Sequence, residues 1–269
     1  MQYNTGETTE SLKNEYNPDG SVLRKCQLRL FDMLCYFDEI CKKLNIEYRL
    51  DSGSVLGAVR HEGFIPWDDD LDVVISKKDE KKLCDYLISN PNSQYVLLCP
   101  QTDSSYLYPW NSLRDLKSEY LQDTTMHNVR KYRGMQIDIF TEQVGSIKPL
   151  FIFSKKLTAL INHHLLGKVR LVPTLLCFIQ KNLFIPSFSF LSKIVGNKNY
   201  CNFSYGIFWW HPIAKKTLYP TKPILFEGKL FPGPANPEKY LEIVYGKKWM
   251  NLPPKENRNW HKASYRIED

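Results

Sequence analysis

Residues 51–75 read DSGSVLGAVRHEGFIPWDDDLDVVI, and the order of features in that stretch decides the fold. Asp51-Ser52-Gly53-Ser54 turns the chain out of a short strand at Ile46–Leu50 and into a helix from Ser54 to His61, with Gly63 expected as its C-terminal cap. Ile65-Pro66 forces an extended entry into Trp67-Asp68-Asp69-Asp70. Leu71–Ile75 is then an apolar, β-branched strand. Side chains alternate along a strand, so Asp70 and Asp72 project from one face. Two neighbouring carboxylates repel each other and resist desolvation unless a cation neutralises them. All-oxygen ligands at that spacing suit Mg²⁺ or Mn²⁺, which keep further positions for water and phosphate. Asp138, the single acid in the apolar run Met135–Phe140, is the candidate third ligand on a neighbouring strand. A plainer reading also stands, in which Asp68-Asp69-Asp70 is a solvated turn. The Gly53-Ser54 turn ahead of the acids favours a site, because backbone N–H groups at a helix start hold phosphate.

Outward from this stretch, helices and strands alternate. Val22, Cys26, Leu30, Phe37 and Cys41 recur at helical spacing over a helix that should end near Asn45. Ser76 is expected to cap a charged helix over residues 77–90, and strands are expected at 95–99, 111–116 and 135–140. The pattern predicts an α/β (α+β) fold, a mixed sheet covered by helices. Residues 1–20 read as a flexible N-terminus, 21–142 as the catalytic core and 143–223 as an inserted basic helical subdomain. Residues 224–269 read as a hairpin and helix that complete the core.

The division at 143 comes from composition. Residues 143–226 hold no Asp or Glu but eleven Lys and Arg, so this stretch carries +11 of a net charge of +7 for all 269 residues. Three readings are open for it: an amphipathic surface lying on an anionic membrane, an acceptor-binding subdomain, or a core helix pair with solvated lysines. The seven cysteines are odd in number and form no C-x-x-C pair, as expected of free thiols in a reducing compartment. Met1–Asn17 lacks an apolar signal region, and no uncharged apolar run reaches 18 residues. A cytoplasmic protein, peripheral on the inner membrane face, is the expectation.

The stretch from Asp51 to Val73 closely resembles the signature of the LicD family, which includes bacterial phosphocholine transferases and is related to fukutin-related protein. Residues 133–140, RGMQIDIF, are similar to the family's third-acid strand, and Phe226-Glu227-Gly228, Tyr240-Leu241, Tyr245-Gly246 and Trp249 look like its C-terminal pattern. The resemblance covers roughly residues 22–142 and 224–261. It implies a nucleotidyltransferase-like fold and a phosphotransferase that moves phosphocholine, or a similar phospho-alcohol, from a CDP-linked donor such as CDP-choline. The acceptor would be a sugar hydroxyl of a cell-surface glycan such as lipopolysaccharide, or its lipid-linked precursor, and such an acceptor favours membrane proximity for the basic segment. Asp70, Asp72 and Asp138 would hold two Mg²⁺ or Mn²⁺ ions around an in-line displacement, and Asp138 is also the candidate proton acceptor.

Other residues carry thinner signals. Arg60 is a candidate fork for donor phosphate or else a basic residue favoured at a helix C-terminus. Trp67 is a candidate for stacking on the base or covering a choline-type cation, against a packing role. Arg114 is a candidate phosphate contact or a partner of Asp115 or Glu119. Tyr106, Tyr108, Trp110, Tyr132 and Trp209-Trp210 are candidate aromatic walls. His163-His164, His211 and His261 lack metal-ligand spacing. Neither a P-loop nor a G-x-G-x-x-G fingerprint occurs. Nothing marks a nucleic-acid-binding module, so no nucleic-acid partner is expected. Transfer of an NMP by the same acids is the competing activity, and a non-catalytic basic binding module is the competing class.

Overall fold

The computed structural model describes residues 3–121, 130–165, 171–258 and 264–267. Its main sheet contains β1 (Tyr48–Leu50), β2 (Asp72–Ser76), β3 (Tyr95–Leu98), β4 (Asn111–Asp115), β6 (Gln136–Val144), β7 (Tyr200–Phe203) and β8 (Ile213–Ala214). The order is β1-β2-β6-β4-β3, with β7 following β4 along the same edge of β6 and β8 beyond β7. β2 and β6 are parallel and the other pairs antiparallel, so the sheet is mixed, as expected. β5 (Ser118–Leu121) stands apart and pairs with β11 (Ser264–Ile267), a long-range ladder with no local signal.

The two faces of the sheet are buried differently. Val73, Ile75, Leu113, Ile137 and Ile139 enter the main core beneath α2 (Val22–Leu44). α2 forms because Leu23, Cys26, Leu30, Leu34, Phe37 and Cys41 make one apolar stripe, with the Ser21 side chain capping Arg24 N–H at 3.2 Å. Asn45 in the left-handed region, at φ 49°, ends it. On the opposite face, Val74 and Phe140 join an aromatic cluster with Tyr106, Trp110, Phe151 and Tyr205.

Several sequence expectations are corrected. The N-terminus is ordered from Tyr3: α1 (Thr9–Tyr16) carries a capping box, Leu12 is buried, and the Tyr3 hydroxyl reaches the Arg60 carbonyl at 2.8 Å. α3 spans Ser52–His61, and Glu62, not Gly63, takes the left-handed cap at φ 57°. Gly63 has another task, since a Cβ there would meet Glu227 Oε1 at 2.3 Å. Glu227 sits in the turn between β9 (Lys222–Phe226) and β10 (Lys229–Gly233), accepts the Phe64 N–H and pairs with Arg24 at 2.7 Å. α4 (Glu80–Ser89) starts from Asp79 rather than Ser76.

The stretch expected as a helical subdomain is helical in α5 (Lys148–Ala159), its π-helical continuation Leu160–Leu165, and α6 (Leu171–Val195). Its remainder returns to the main sheet as β7 and β8, then forms α7 (Lys215–Leu218). Among the described residues α6 is long and apolar enough to cross a membrane by length and composition, with a mean hydropathy of 1.3 over its apolar window. Counting only uncharged runs passes over it, because Lys181 interrupts the helix. After the β9–β10 hairpin comes α8 (Pro237–Tyr245), capped by the Asn236 side chain, which packs on α3.

Candidate active site

β1, α3 and β2 build the centre of the site. β1 and β2 are antiparallel neighbours, so the turn that starts α3 lies against the first residue of β2. Two hydrogen bonds stitch them: Asp51 N–H to the Asp72 carbonyl at 3.1 Å, and Asp72 N–H to Ser54 Oγ at 2.9 Å. Beside them a cleft of about 420 Å³ is lined by Ser52, Gly53, Ser54, Asp68, Asp70 and Asp72, facing Phe140, Trp209, His211, Val244 and Tyr245. A Cβ on Gly53 would lie 3.3 Å from Asp68 Oδ2, so the missing side chain lets that carboxylate approach the helix start.

Asp138 is placed beside Asp72 by register, because the parallel pairing of β2 and β6 sets the two opposite each other. Its Oδ1 accepts the Ser112 hydroxyl from β4, and its Oδ2 accepts Gln136 Nε2 at 3.3 Å. Burial pushes the Asp72 carboxyl well above the ordinary range, and the charges of Asp70, Asp138, Asp51 and Asp68 push it further. Burial also raises Asp138, against the Ser112 hydroxyl and the charges of Arg114 and Arg130.

Asp72 is thus made harder to ionise by burial and by its neighbouring carboxylates, which is the electrostatic condition a divalent cation relieves. Among the described residues no group of three or more His, Cys, Asp or Glu side chains stands close enough together to hold a metal ion. Mg²⁺ or Mn²⁺ would find the oxygen ligands of Asp70 and Asp72 at the cleft, with Asp138 beside Asp72 by register, and would need water and phosphate for its remaining positions.

Behind the cleft stands a buried cluster without a sequence signal. Arg49, 3% exposed, pairs with Asp51 and with Glu142, the latter at 2.7 Å. Tyr240 of α8 donates to Asp51 Oδ1 at 2.8 Å and accepts the Ser52 N–H at 2.9 Å. Tyr219 donates to the other oxygen of Glu142. Asp51 is thus spent on holding the turn.

Three sequence candidates lie elsewhere. Arg60, 5% exposed, binds the carbonyls of Trp249 and Asn251 at 3.1 and 3.3 Å and donates from Nε to His61. Trp67 is buried between Tyr16 and His61 with Arg258 over its ring at 5.2 Å. Arg114 is fully buried on β4, bonded to the Gly134 carbonyl at 2.7 Å, and bears on Asp138 through its charge. None of the three lines the cleft.

Sequence reasoning missed Asp68, Phe140, Tyr245 and His211 as lining residues; of the aromatic candidates, Trp209 reaches the cleft. Asp68 and Tyr245 stood inside the quoted motifs, whereas His211 arrives from the β7–β8 loop with no motif of its own. The side chains of His163 and His164, and all of His261, lie outside the described residues.

Residues 45–158 match the family model for the LicD/FKTN/FKRP nucleotidyltransferase domain. The chain is 38% identical over 74 residues to the lipopolysaccharide cholinephosphotransferase LicD of Haemophilus influenzae, covering 28% of each chain. It is 28% identical over 157 residues to an uncharacterized protein of Rickettsia prowazekii, covering 51% of this chain and 59% of that one. The matches thus span less than two thirds of these relatives. The matched domain contains β1, α3, β2 and β6, and with them every acid named above except those beyond the sheet.

Proposed function

We propose that the chain, whose residues 45–158 match the family model for the LicD/FKTN/FKRP nucleotidyltransferase domain, transfers a phospho-alcohol of the phosphocholine kind from a CDP-linked donor to a sugar hydroxyl. The acceptor in this reading is a cell-surface glycan, such as lipopolysaccharide, or its lipid-linked precursor. One observation carries it: Asp70 and Asp72 face a single cleft whose wall is the helix start at Gly53-Ser54, stitched to Asp72 by hydrogen bonds.

In this reading Asp70, Asp72 and Asp138 hold Mg²⁺ or Mn²⁺, which supplies positive charge to the entering and leaving oxygens. The N-terminus of α3 attracts donor phosphate through its dipole and the Gly53 N–H, since the Ser52 and Ser54 N–H groups are already bonded to the Tyr240 hydroxyl and the Asp51 carbonyl. Ser54 accepts the Asp72 amide, so its own O–H is left to donate into the cleft it lines. Asp138, whose raised proton affinity suits a base, accepts the proton of the sugar hydroxyl. Trp209, half-exposed and edge-on to Phe140 at 5.5 Å, supplies the aromatic wall for a base or an alkylammonium head.

The test is thermal stability with Mg²⁺ and a panel of CDP-alcohols, followed by product analysis. A donor at a hundredfold excess over its dissociation constant adds about 2.7 kcal/mol. A Mg²⁺-dependent shift with one CDP-alcohol, lost in Asp70→Ala, and release of CMP support the reading. A shift with CTP alone and release of pyrophosphate assign nucleotidyl transfer instead.

A further inference from the structure

The helical arm α5–α6 buries a row of polar side chains beside its apolar anchors Phe151, Ile161, Cys177 and Ile185: Ser154, Thr158, Asn162, Gln180 and Ser192 are each at most 2% exposed. They bond among themselves and to the body. Gln180 Nε2 reaches the Ser154 carbonyl at 2.9 Å and Thr158 Oγ1 at 2.8 Å, Asn162 Nδ2 reaches the Thr158 carbonyl at 3.1 Å, and Ser192 Oγ meets the Tyr205 hydroxyl at 2.7 Å. The outward face is apolar, with Leu171 83%, Leu175 59%, Phe178 63%, Phe190 66%, Ile194 60% and Val195 64% exposed. Among the described residues, twelve of the twenty-one exposed large apolar side chains lie between residues 148 and 195.

A helix pair surrounded by water places these residues the other way round. Polar side chains joined between helices, with aliphatic and aromatic ones facing out, is the arrangement of helices whose surroundings are apolar. Charge names the surroundings. Lys148, Lys155, Lys156, Lys193 and Lys198 are exposed on and beside the arm, in a stretch of chain without a single acid from residue 143 to 226. Lysine stems lie along apolar surface while their ammonium groups meet phosphate. The arm is nevertheless fixed sideways to the body, through Phe151 and Ile185 in the aromatic cluster and Phe188 against Tyr205 at 5.4 Å. It therefore lies along the boundary instead of crossing it.

We propose that the outward face of α5 and α6 seats this protein in the interfacial layer of a bilayer containing anionic lipids, with the lysines on lipid phosphates. Val74 and Phe140 tie the arm to the sheet face that also carries Asp72 and Asp138, so the embedded arm and the cleft share one side of the sheet. The inference stands on the arm alone and survives if the proposed transfer reaction fails.

Flotation of the full chain with phosphatidylcholine vesicles, with and without 30% phosphatidylglycerol, tests it. The wild type is expected to float with the anionic vesicles and much less with neutral ones. Phe178→Ser/Phe190→Ser alters only exposed positions and is expected to lose at least tenfold in partitioning with an unchanged urea midpoint. Each basic side chain near an anionic surface contributes roughly fivefold. Lys155→Gln/Lys156→Gln/Lys193→Gln is therefore expected to lose on the order of 100-fold on phosphatidylglycerol, and high salt to mimic it. Failure of the wild type to float, or flotation unaffected by the Phe178 and Phe190 changes, overturns the proposal. So does a stable dimer in vesicle-free solution that those same changes dissociate, since a second copy then covers the face.

Discussion

Replacing Arg49 by Met isolates what the buried cluster behind the cleft contributes. Among the described residues Arg49 is the cation that pairs with both Asp51 and Glu142, which are 1% and 5% exposed, and its guanidinium also lies over Tyr240 at 5.6 Å. Methionine fills similar volume without charge, so little of the loss comes from a cavity. The change leaves two carboxylates buried without their cation, and breaking such a pair costs about 3–5 kcal/mol. At roughly 2–4 °C per kcal/mol for a chain of this size, the melting temperature falls by about 6–20 °C. A second substitution shows where the loss arises. Glu142→Gln removes one stranded charge, and its amide oxygen still accepts the Tyr219 hydroxyl. The double variant is therefore expected to be no less stable than Arg49→Met alone, with a coupling of about 1–3 kcal/mol. The assay is urea and thermal unfolding at pH 7.5 of the wild type, both single variants and the double. A loss below about 1 kcal/mol in Arg49→Met, or strict additivity in the double, refutes the argument.

Three further outcomes are expected. Asp72→Asn removes a carboxylate that burial and then its acidic neighbours hold against ionisation, so the variant should melt above the wild type in EDTA while losing any Mg²⁺-dependent stabilisation and turnover; thermal shift with and without Mg²⁺ reads the stability and a product assay the turnover. His61 is buried and accepts Arg60 Nε–H at 2.9 Å, which places its own proton on Nδ1 toward Tyr3, and burial lowers its pKa to about 3. That value lies below the ~6.5 of an unfolded histidine, so the unfolded chain takes up the proton first. Stability from neutral His61 is complete above pH ~6.5 and declines toward pH 3 by up to ~1.4 kcal/mol per unit, and urea midpoints for wild type against His61→Gln should show that slope only in the wild type. Gly134→Ala puts a Cβ 1.7 Å from the Asp115 carbonyl oxygen, backbone that cannot swing aside, so a loss of about 3 kcal/mol or more is expected in chemical denaturation.

What sequence could determine here is what repeats over short distances. The apolar stripe of α2, the Glu227-Gly228 turn between β9 and β10 and the Pro237–Tyr245 helix all follow from local periodicity and backbone preference, and each is found where it was expected. Asp70, Asp72 and the Gly53-Ser54 turn were legible for the same reason, since twenty contiguous residues carry them. Asp138 was legible as an acid out of place in an apolar strand, and the register of β6 on β2 puts it beside Asp72. Burial and partnership were not legible, because they depend on which distant segment arrives. Arg60 and Trp67 look like binding residues until the C-terminal carbonyls and Arg258 cover them, and Arg49 looks unremarkable until Glu142 closes on it from 93 positions away. The wall of the cleft is assembled likewise, by Trp209, His211 and Tyr245 from loops and helices remote from the acids. The arm shows the limit most clearly. Its composition announced a basic, apolar segment, but only the packing of α6 against α5 decided that Gln180 and Ser192 turn inward while Phe178 and Phe190 face out. A helix's period sets which residues share a face; the neighbour it packs on decides which face is buried.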